Sequence, residues 1–364
     1  MIDYKYHSNT LGASANQLYF EADPNEIQKG RVFYKTDRAG RFNYSLLFTS
    51  IIDSTYSDGS KSQKNRVLPK WNIHKASFAV YPMNSFENGI DTIPCERLFC
   101  PITFDGKAEK TVSEREIFKS DEFTLYAEKG DYICIELEFS GSELPCHEES
   151  LLPIYRHTDG EWRYDKRVPL PACIGCDKAS GARIAFFGDS ITQGIGTACN
   201  SYLHWNALLA EMLGDGYSYW NLGIGYARAD DAASEGIWLE KALMNDVIFV
   251  CLGVNDLLQG FSEGEIKDSL VKIVDTLKKA GKTVILQTLP PFDYNRATIE
   301  IWQNINEFIK TESAIKADLV FDCVTVLGKE GSPHNARFGG HPNEQGCALW
   351  AQELFKSIKK SNLL

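Results

Sequence analysis

The stretch FGDSITQG, from Phe187 to Gly194, lies near the middle of a chain of 364 residues and continues an apolar run over 184–187. Glycine allows a sharp exit from a buried strand, so Ser190 is expected at the carboxyl edge of a sheet, near the start of a helix. Backbone amides and the helix dipole stabilise anions at such a place. Two interpretations of Ser190 remain open here, a nucleophile or only a helix N-cap.

The apolar runs beyond this stretch alternate with a helical pattern. They occupy 184–187, 247–252, 284–286 and 319–321, and apolar residues recur at helical spacing from Ile266 to Leu277 before Gly281. Apolar strands separated by helices predict a parallel sheet covered on both faces. Because ligands bind beyond the carboxyl ends of such strands, the residues that follow each run are candidate site residues.

The first half of the chain has a different pattern. Ile133, Ile135, Leu137 and Phe139 alternate with Glu136 and Glu138, which predicts a half-buried strand of an antiparallel sheet. The stretches 41–48 and 76–81 have a similar pattern, and no long helical pattern occurs. This half is therefore predicted to be an all-β, jelly-roll-like sandwich.

These patterns predict a β-sandwich domain over 1–165, a linker over 166–181 and an α/β domain over 182–364. The linker contains Pro169, Pro171 and the pair Cys173 and Cys176. Because no second CxxC or matching histidine pair accompanies these cysteines, two free thiols are favoured over a metal or redox site.

The composition narrows the class of protein. A net charge of −11 disfavours nucleic acid and anionic membranes as partners and suits a neutral or cationic small substrate better. The chain begins without an apolar leader and contains no run of 18 apolar residues, so a cytoplasmic protein is expected. Its ten cysteines are expected to be reduced thiols. The oligomeric state is not indicated.

Three further motifs follow predicted strands or precede a helix. Asn221 to Tyr226 is a glycine-rich turn that lets a backbone amide approach a ligand. In Gly253-Val254-Asn255-Asp256, Asn255 presents an amide to a developing oxyanion or forms an Asx turn. His341, in His341-Pro342-Asn343, is a candidate general base for Ser190.

In this order, GDSITQG, NLGIG, GVND and HPN resemble the motifs of the SGNH (GDSL-type) hydrolases, from Arg183 to the C-terminus. The resemblance implies a flavodoxin-like α/β/α sandwich that hydrolyses esters without a metal or other cofactor. It makes Ser190 the nucleophile and His341 the base. The Ser190 N–H, the amide near Gly225 and Tyr226, and the Asn255 side chain would form the oxyanion hole.

The chain departs from the family pattern at two positions. Tyr226 stands where the family usually has the glycine that completes the oxyanion hole. Phe338 stands where it usually has the aspartate that orients the histidine. Three interpretations follow: a Ser-His dyad oriented by a backbone carbonyl, a carboxylate from elsewhere such as Glu344, or lost catalysis.

The β-rich half also resembles the domains that precede the catalytic domain in some bacterial SGNH esterases, through 101–107, 120–123 and GDYICIELEFSG. This arrangement occurs among carbohydrate esterases and implies O-acetyl groups on sugars as substrates. Trp205 and Trp302 would line the site or pack in the core. The alternatives are a lysophospholipase or thioesterase, and a carbohydrate-binding protein that has lost its activity.

Overall fold

The computed structural model describes residues 4–53, 64–311, 315–328 and 333–364. Two compact units make up the chain. The first runs to Ser180 and includes Ser218–Trp220, and the second runs from Gly181 to the C-terminus without those three residues.

The first unit is built of antiparallel strands, and its only described helical element is a 3₁₀ turn at Met83–Phe86. The strands are β1 (His7–Ser8), β2 (Leu18–Glu21), β3 (Gln28–Lys35), β4 (Gly40–Thr49), β5 (Ile51–Ile52), β6 (Arg66–Val67), β7 (Trp71–Tyr81), β8 (Cys100–Ile102), β9 (Lys110–Val112), β10 (Ile117–Lys119), β11 (Phe123–Ala127), β12 (Tyr132–Gly141), β13 (Glu143–Cys146), β14 (Ile154–Thr158), β15 (Glu161–Tyr164) and β16 (Cys173–Cys176). The prediction of an all-β first half is confirmed.

Two larger sheets organise this unit. One has the order β1-β16-β4-β10, with β11 also paired to β4. The other has the order β15-β14-β3-β12-β7-β8, with β9 paired to β7. The shorter pairs are β2 with β13 and β5 with β6. The three stretches that the sequence singled out as strands lie in β4, β7 and β12.

Strand β12 is buried on both faces, so the expectation of a half-buried strand was wrong. It lies between β3 and β7 in the middle of its sheet. Tyr132 and Cys134 pack in an apolar cluster with Phe33 on the face that also carries Glu136. Glu136 is 4% exposed, and its carboxylate accepts a hydrogen bond of 2.7 Å from Arg31. Glu136 therefore belongs to a buried ion pair with Arg31, and the alternation of charged and apolar residues does not mark a face exposed to solvent.

The predicted linker contains a strand of the first unit. All four residues of β16 are buried, and the strand pairs antiparallel with β1 and β4. Burial raises the pKa of Cys173 to about 12 and that of Cys176 to about 11. Within the four described ranges, no group of three or more His, Cys, Asp or Glu is placed to hold a metal. The two cysteines therefore belong to the packed interior of a sheet and not to a linker.

The chain after Ser180 contains a five-stranded sheet of order β18-β17-β19-β20-β21, in which β17, β19, β20 and β21 pair in parallel. Its strands are β17 (Ala182–Gly188), β18 (Tyr217–Asn221), β19 (Val247–Cys251), β20 (Thr283–Gln287), β21 (Leu319–Phe321), and a small hairpin of β22 (Ala336–Phe338) and β23 (His341–Pro342). This order is that of a flavodoxin-like sheet, as the family resemblance implied.

Helices connect these strands. They are α1 (Ser190–Gln193), α2 (Trp205–Leu213), α3 (Ala229–Ala233), α4 (Ile237–Leu243), α5 (Val254–Leu258), α6 (Glu263–Lys279), α7 (Arg296–Thr311), α8 (Val324–Leu327) and α9 (Glu344–Ser361). The apolar positions of α6, from Ile266 to Leu277, are buried as their spacing predicted. No helix of the described part of the chain is long and apolar enough to cross a membrane.

Two tryptophans that were candidates for the substrate site pack in the core instead. Trp205 is 0% exposed and stacks on Trp350 at 5.1 Å between ring centroids. Trp302 is 1% exposed and donates a hydrogen bond of 2.9 Å to the carbonyl of Leu289. Neither ring can therefore contact a substrate without rearrangement of the core.

Candidate active site

Ser190 is the first residue of helix α1 and does not cap it. The N-cap is Asp189, whose carboxylate accepts a hydrogen bond of 2.9 Å from the Ile191 amide. The Ser190 hydroxyl turns to another partner, and its Oγ lies 2.8 Å from Nε2 of His341. The interpretation of Ser190 as only a helix N-cap is therefore wrong. The two residues that the sequence separates by 151 positions are in hydrogen-bond contact.

The loop after β18 packs directly against this helix. A Cβ on Gly223 would lie 2.2 Å from the backbone nitrogen of Gln193, so only glycine permits this approach. The Ile224 amide also donates a hydrogen bond of 3.1 Å to the carbonyl of Gly188, at the end of β17. The glycine-rich turn that the sequence singled out is thus held beside the nucleophile.

Asn255 reaches the same loop from the neighbouring strand. The register pairs Gly188 of β17 with Cys251 of β19, so the segments that follow both strands leave the sheet at one edge. Nδ2 of Asn255 donates a hydrogen bond of 2.9 Å to the carbonyl of Ala227. That nitrogen carries a second hydrogen, for which the described residues provide no acceptor. The bond to Ala227 thus fixes the plane of the Asn255 amide, and the second hydrogen on Nδ2 remains available to donate to a ligand.

The two predicted backbone donors lie in this region. Ser190 occupies the first helical position, where an N–H has no partner within the helix. Tyr226 has a φ of 59°, in the left-handed region that favours glycine. Holding a tyrosine there costs about 1–2 kcal/mol. The position at which the family usually has glycine therefore keeps the glycine-like backbone conformation, although its side chain differs.

His341 lies on a hairpin between two aromatic rings. Phe338 of β22 and His341 of β23 are directly paired, so their side chains share one face. The ring centroids of Phe338 and His341 are 4.7 Å apart with planes tilted by 39°, and Phe292 lies 5.2 Å away, edge to face at 74°. The imidazole is therefore bounded by apolar rings where a carboxylate was sought.

No carboxylate of the described residues forms an ion pair with His341. Glu344, the alternative considered from the sequence, accepts a hydrogen bond of 3.2 Å from the Ala198 amide instead. Nδ1 of His341 is buried and makes no hydrogen bond of ordinary geometry. Burial lowers the pKa of His341 to about 4, and the nearby carbonyl of Phe338 opposes that decrease only in part. The ring is consequently neutral near pH 7 and able to accept a proton.

One protein-family model matches part of the chain. Residues 186–349 match the model of the GDSL-like Lipase/Acylhydrolase family, and they include Ser190, Asn255 and His341. Over these residues the chain is a GDSL-like acylhydrolase domain, which is called the acylhydrolase domain below. The protein is accordingly an enzyme that hydrolyses ester bonds. A comparison with curated proteins found no match.

Several solved structures resemble the acylhydrolase domain or the whole chain at a distance. A member of the lipolytic protein G-D-S-L family from Veillonella parvula DSM 2008 is 22% identical, covers 49% of this chain and 98% of its own, and has a TM-score of 0.42. A family two carbohydrate esterase from Cellvibrio japonicus is 13% identical, covers 98% of this chain and 96% of its own, and has a TM-score of 0.40. A carbohydrate esterase family 3 protein from Talaromyces cellulolyticus is 19% identical, covers 50% and 99%, and has a TM-score of 0.37.

Two buried carboxylates of the acylhydrolase domain were not singled out from the sequence. Asp256 is 0% exposed and accepts hydrogen bonds from the amides of Ala229, at 2.8 Å, and Asp230, at 3.2 Å. Asp189 is 1% exposed, and burial raises its pKa to about 7, with a further contribution from the charge of Asp256. Burial also raises the pKa of Asp256 to about 6. Asp189 precedes Ser190 and Asp256 follows Asn255 in the sequence. This adjacency to candidate site residues could have identified both carboxylates.

The substitution Asp189→Asn is expected to stabilise the acylhydrolase domain at pH 8 more than at pH 5. Because the folded-state pKa is raised, the contribution of Asp189 to stability is fully present below pH 3.8 and is lost as the pH rises through about 7. Asparagine still accepts the Ile191 bond and has no charge to bury. The gain at pH 8 is expected to be on the order of 1–4 kcal/mol.

Thermal unfolding of wild type and variant at pH 5, 6.5 and 8 measures this effect. Asp215→Asn is the matched control, because Asp215 is an exposed aspartate of the same domain. Parallel pH dependence in wild type and Asp189→Asn would show that Asp189 titrates normally.

Proposed function

We propose that the protein is a serine esterase that removes short acyl groups, above all acetyl groups, from carbohydrates. The hydrogen bond of 2.8 Å between Ser190 Oγ and His341 Nε2 carries the proposal. It joins a hydroxyl to a base whose lowered pKa of about 4 keeps it unprotonated near neutral pH.

The reaction begins with proton transfer from Ser190 Oγ to Nε2 of His341 as Oγ bonds to the acyl carbon. The carbonyl π electrons become the oxyanion of a tetrahedral intermediate. Its collapse breaks the bond to the leaving oxygen, which takes the proton from Nε2. A water molecule then attacks the acyl-enzyme, gives a proton to Nε2, and releases the acid as Ser190 recovers that proton.

The oxyanion is held by three donors in this proposal. They are the Ser190 N–H, the amide near Gly225 and Tyr226, and the second hydrogen on Nδ2 of Asn255. The hydrogen bond of 2.9 Å to the Ala227 carbonyl fixes the plane of the Asn255 amide before substrate arrives. A donor that needs no reorientation during the reaction is the kind that stabilises a transition state most.

The choice of a carbohydrate rests on the surroundings of the base. The leaving alcohol must approach Nε2 of His341 to receive its proton, and the Phe338 ring beside that imidazole is 55% exposed. An exposed aromatic ring on the leaving-group side offers a flat apolar surface to the C–H face of a sugar.

Ester panels test this proposal. We expect kcat/KM for 4-nitrophenyl acetate to exceed that for the octanoate by at least about tenfold, because a site specific for acetyl groups gains little from added methylenes. Acetylated xylotriose should also be a better substrate than ethyl acetate, which has the same acyl group and no ring. A preference for octanoate would instead place the protein with the lysophospholipases or thioesterases. Equal rates for acetylated xylotriose and ethyl acetate would show that the enzyme does not recognise the carbohydrate.

A further inference from the structure

We infer that Phe292 and Phe338 are positioning residues that hold the His341 imidazole in its reactive orientation, in place of a carboxylate. These two residues are called the aromatic clamp below. The inference rests on the proposed function and adds how the imidazole of the Ser-His pair is kept oriented for catalysis.

The hairpin geometry explains why residue 338 is the one that contacts the ring. Phe338 and His341 are partners across β22 and β23, with Gly339 and Gly340 between them. Side chains at paired positions of a short hairpin lie against each other, so any large side chain at 338 must pack on the imidazole. A phenyl ring there restricts the ring's rotation by contact rather than by a hydrogen bond.

Phe292 completes the clamp from a different part of the fold. It follows β20 and meets His341 edge to face at 5.2 Å. A Cβ on Gly340 would lie 2.3 Å from the Pro291 carbonyl oxygen and 2.5 Å from Cδ2 of Phe292. The hairpin and the Phe292 loop are therefore in direct van der Waals contact. The hairpin cannot shift toward that loop without moving Phe292 as well.

The clamp also affects the charged form of His341 that arises during the reaction. Among the described residues, no charged side chain shifts the pKa of His341, which responds to burial and to the carbonyl of Phe338. During the reaction the imidazole becomes an imidazolium, and an aromatic face within about 6 Å stabilises a cation. Phe338 at 4.7 Å meets that condition. The clamp thus orients the neutral ring and supports the protonated one.

The test compares Phe338→Leu, Phe292→Leu and Phe338→Tyr. Leucine keeps apolar bulk but removes the flat ring, whereas tyrosine keeps the ring. With 4-nitrophenyl acetate, which has no sugar ring, we expect each leucine variant to lower kcat by roughly 10- to 100-fold, with KM changed much less. This is the size of effect that a small misplacement of a catalytic group produces. Phe338→Tyr, which restores a flat ring, should recover most of the kcat that Phe338→Leu loses.

Two further readouts separate positioning from general damage. The acidic limb of the pH profile of kcat/KM should move upward in Phe338→Leu, because water reaches the imidazole and its pKa returns toward the ordinary value. Side-chain ¹⁵N NMR of His341 should show one tautomer in wild type and a tautomer mixture in the leucine variants. Tyr126→Leu is the control, since Tyr126 is an aromatic of the first unit with a similar exposure of 54%.

The outcomes distinguish the clamp from the proposed function. Wild-type kcat, pH profile and tautomer in both leucine variants would overturn the clamp and leave the esterase proposal intact. A change in KM alone would also overturn it, because it would reduce Phe338 to a substrate contact. If the wild type shows no Ser190-dependent esterase activity, the proposed function fails, and the NMR comparison still decides whether the clamp orients His341.

Discussion

Replacement of Ser190 by alanine is expected to reduce kcat/KM for 4-nitrophenyl acetate by about 10⁴-fold or more, the scale of loss when a serine nucleophile is removed from a catalytic pair. The reason is that no acyl-enzyme can form once the hydroxyl 2.8 Å from His341 Nε2 is gone. Rates are measured at pH 7.5, where His341 is neutral.

A fluorophosphonate probe supplies a second measurement, because it bonds covalently only to an activated serine. It should label the wild type and leave Ser190→Ala unlabelled. Ser361→Ala serves as the control, since Ser361 is also half-buried and its hydroxyl bonds the carbonyl of Ile358 at 2.7 Å, within helix α9. Equal turnover and equal labelling in wild type and Ser190→Ala would end the assignment of Ser190 as nucleophile.

Removal of the Asn255 side chain is expected to lower kcat by about 10²–10³-fold, the usual loss for one oxyanion donor. KM should change little, because the donor acts on charge that develops only in the transition state. Steady-state kinetics of Asn255→Ala with 4-nitrophenyl acetate measures both quantities.

Asn245 provides a closely matched control for that variant. Both asparagines are buried, and both donate from Nδ2 to a backbone carbonyl at 2.9 Å, Asn255 to Ala227 and Asn245 to Lys241. Asn245→Ala should therefore reproduce the loss of stability without the loss of kcat. Similar kcat values in the two variants would indicate that Asn255 only supports its loop.

Sequence patterns predicted the second unit well because its signals are local. Each apolar run became a parallel strand, and each singled-out motif follows a strand or precedes a helix. Strand ends in such a sheet meet at one edge, which is why Ser190 and Asn255 could be associated before any coordinates were known. The contact between Ser190 and His341 was expected from their roles and is observed as a hydrogen bond.

What the sequence missed depends on residues that are distant along the chain. The second face of β12 is covered by side chains such as Phe86, which packs on Tyr132, so alternation alone could not show its burial. Asp189 and Ser190 are both good N-caps, and only the structure shows that Asp189 caps α1 while Ser190 contacts His341. Phe292 follows a predicted strand, but nothing nearby in sequence indicates that its ring reaches His341.

Two adjacent side chains of the short helix α5 hold the backbone of residues 227–230, where a loop meets the start of helix α3. Asn255 bonds the carbonyl of Ala227, and Asp256 accepts from the amides of Ala229 and Asp230. All three groups belong to the main chain, so they remain with any residue at 227 and with any residue except proline at 229 and 230. The contacts of Asn255 and Asp256 therefore depend on the spacing of these three groups along the chain. Substitutions in this segment should change the position of the Asn255 amide little, whereas inserting or deleting one residue would break its bond to the Ala227 carbonyl.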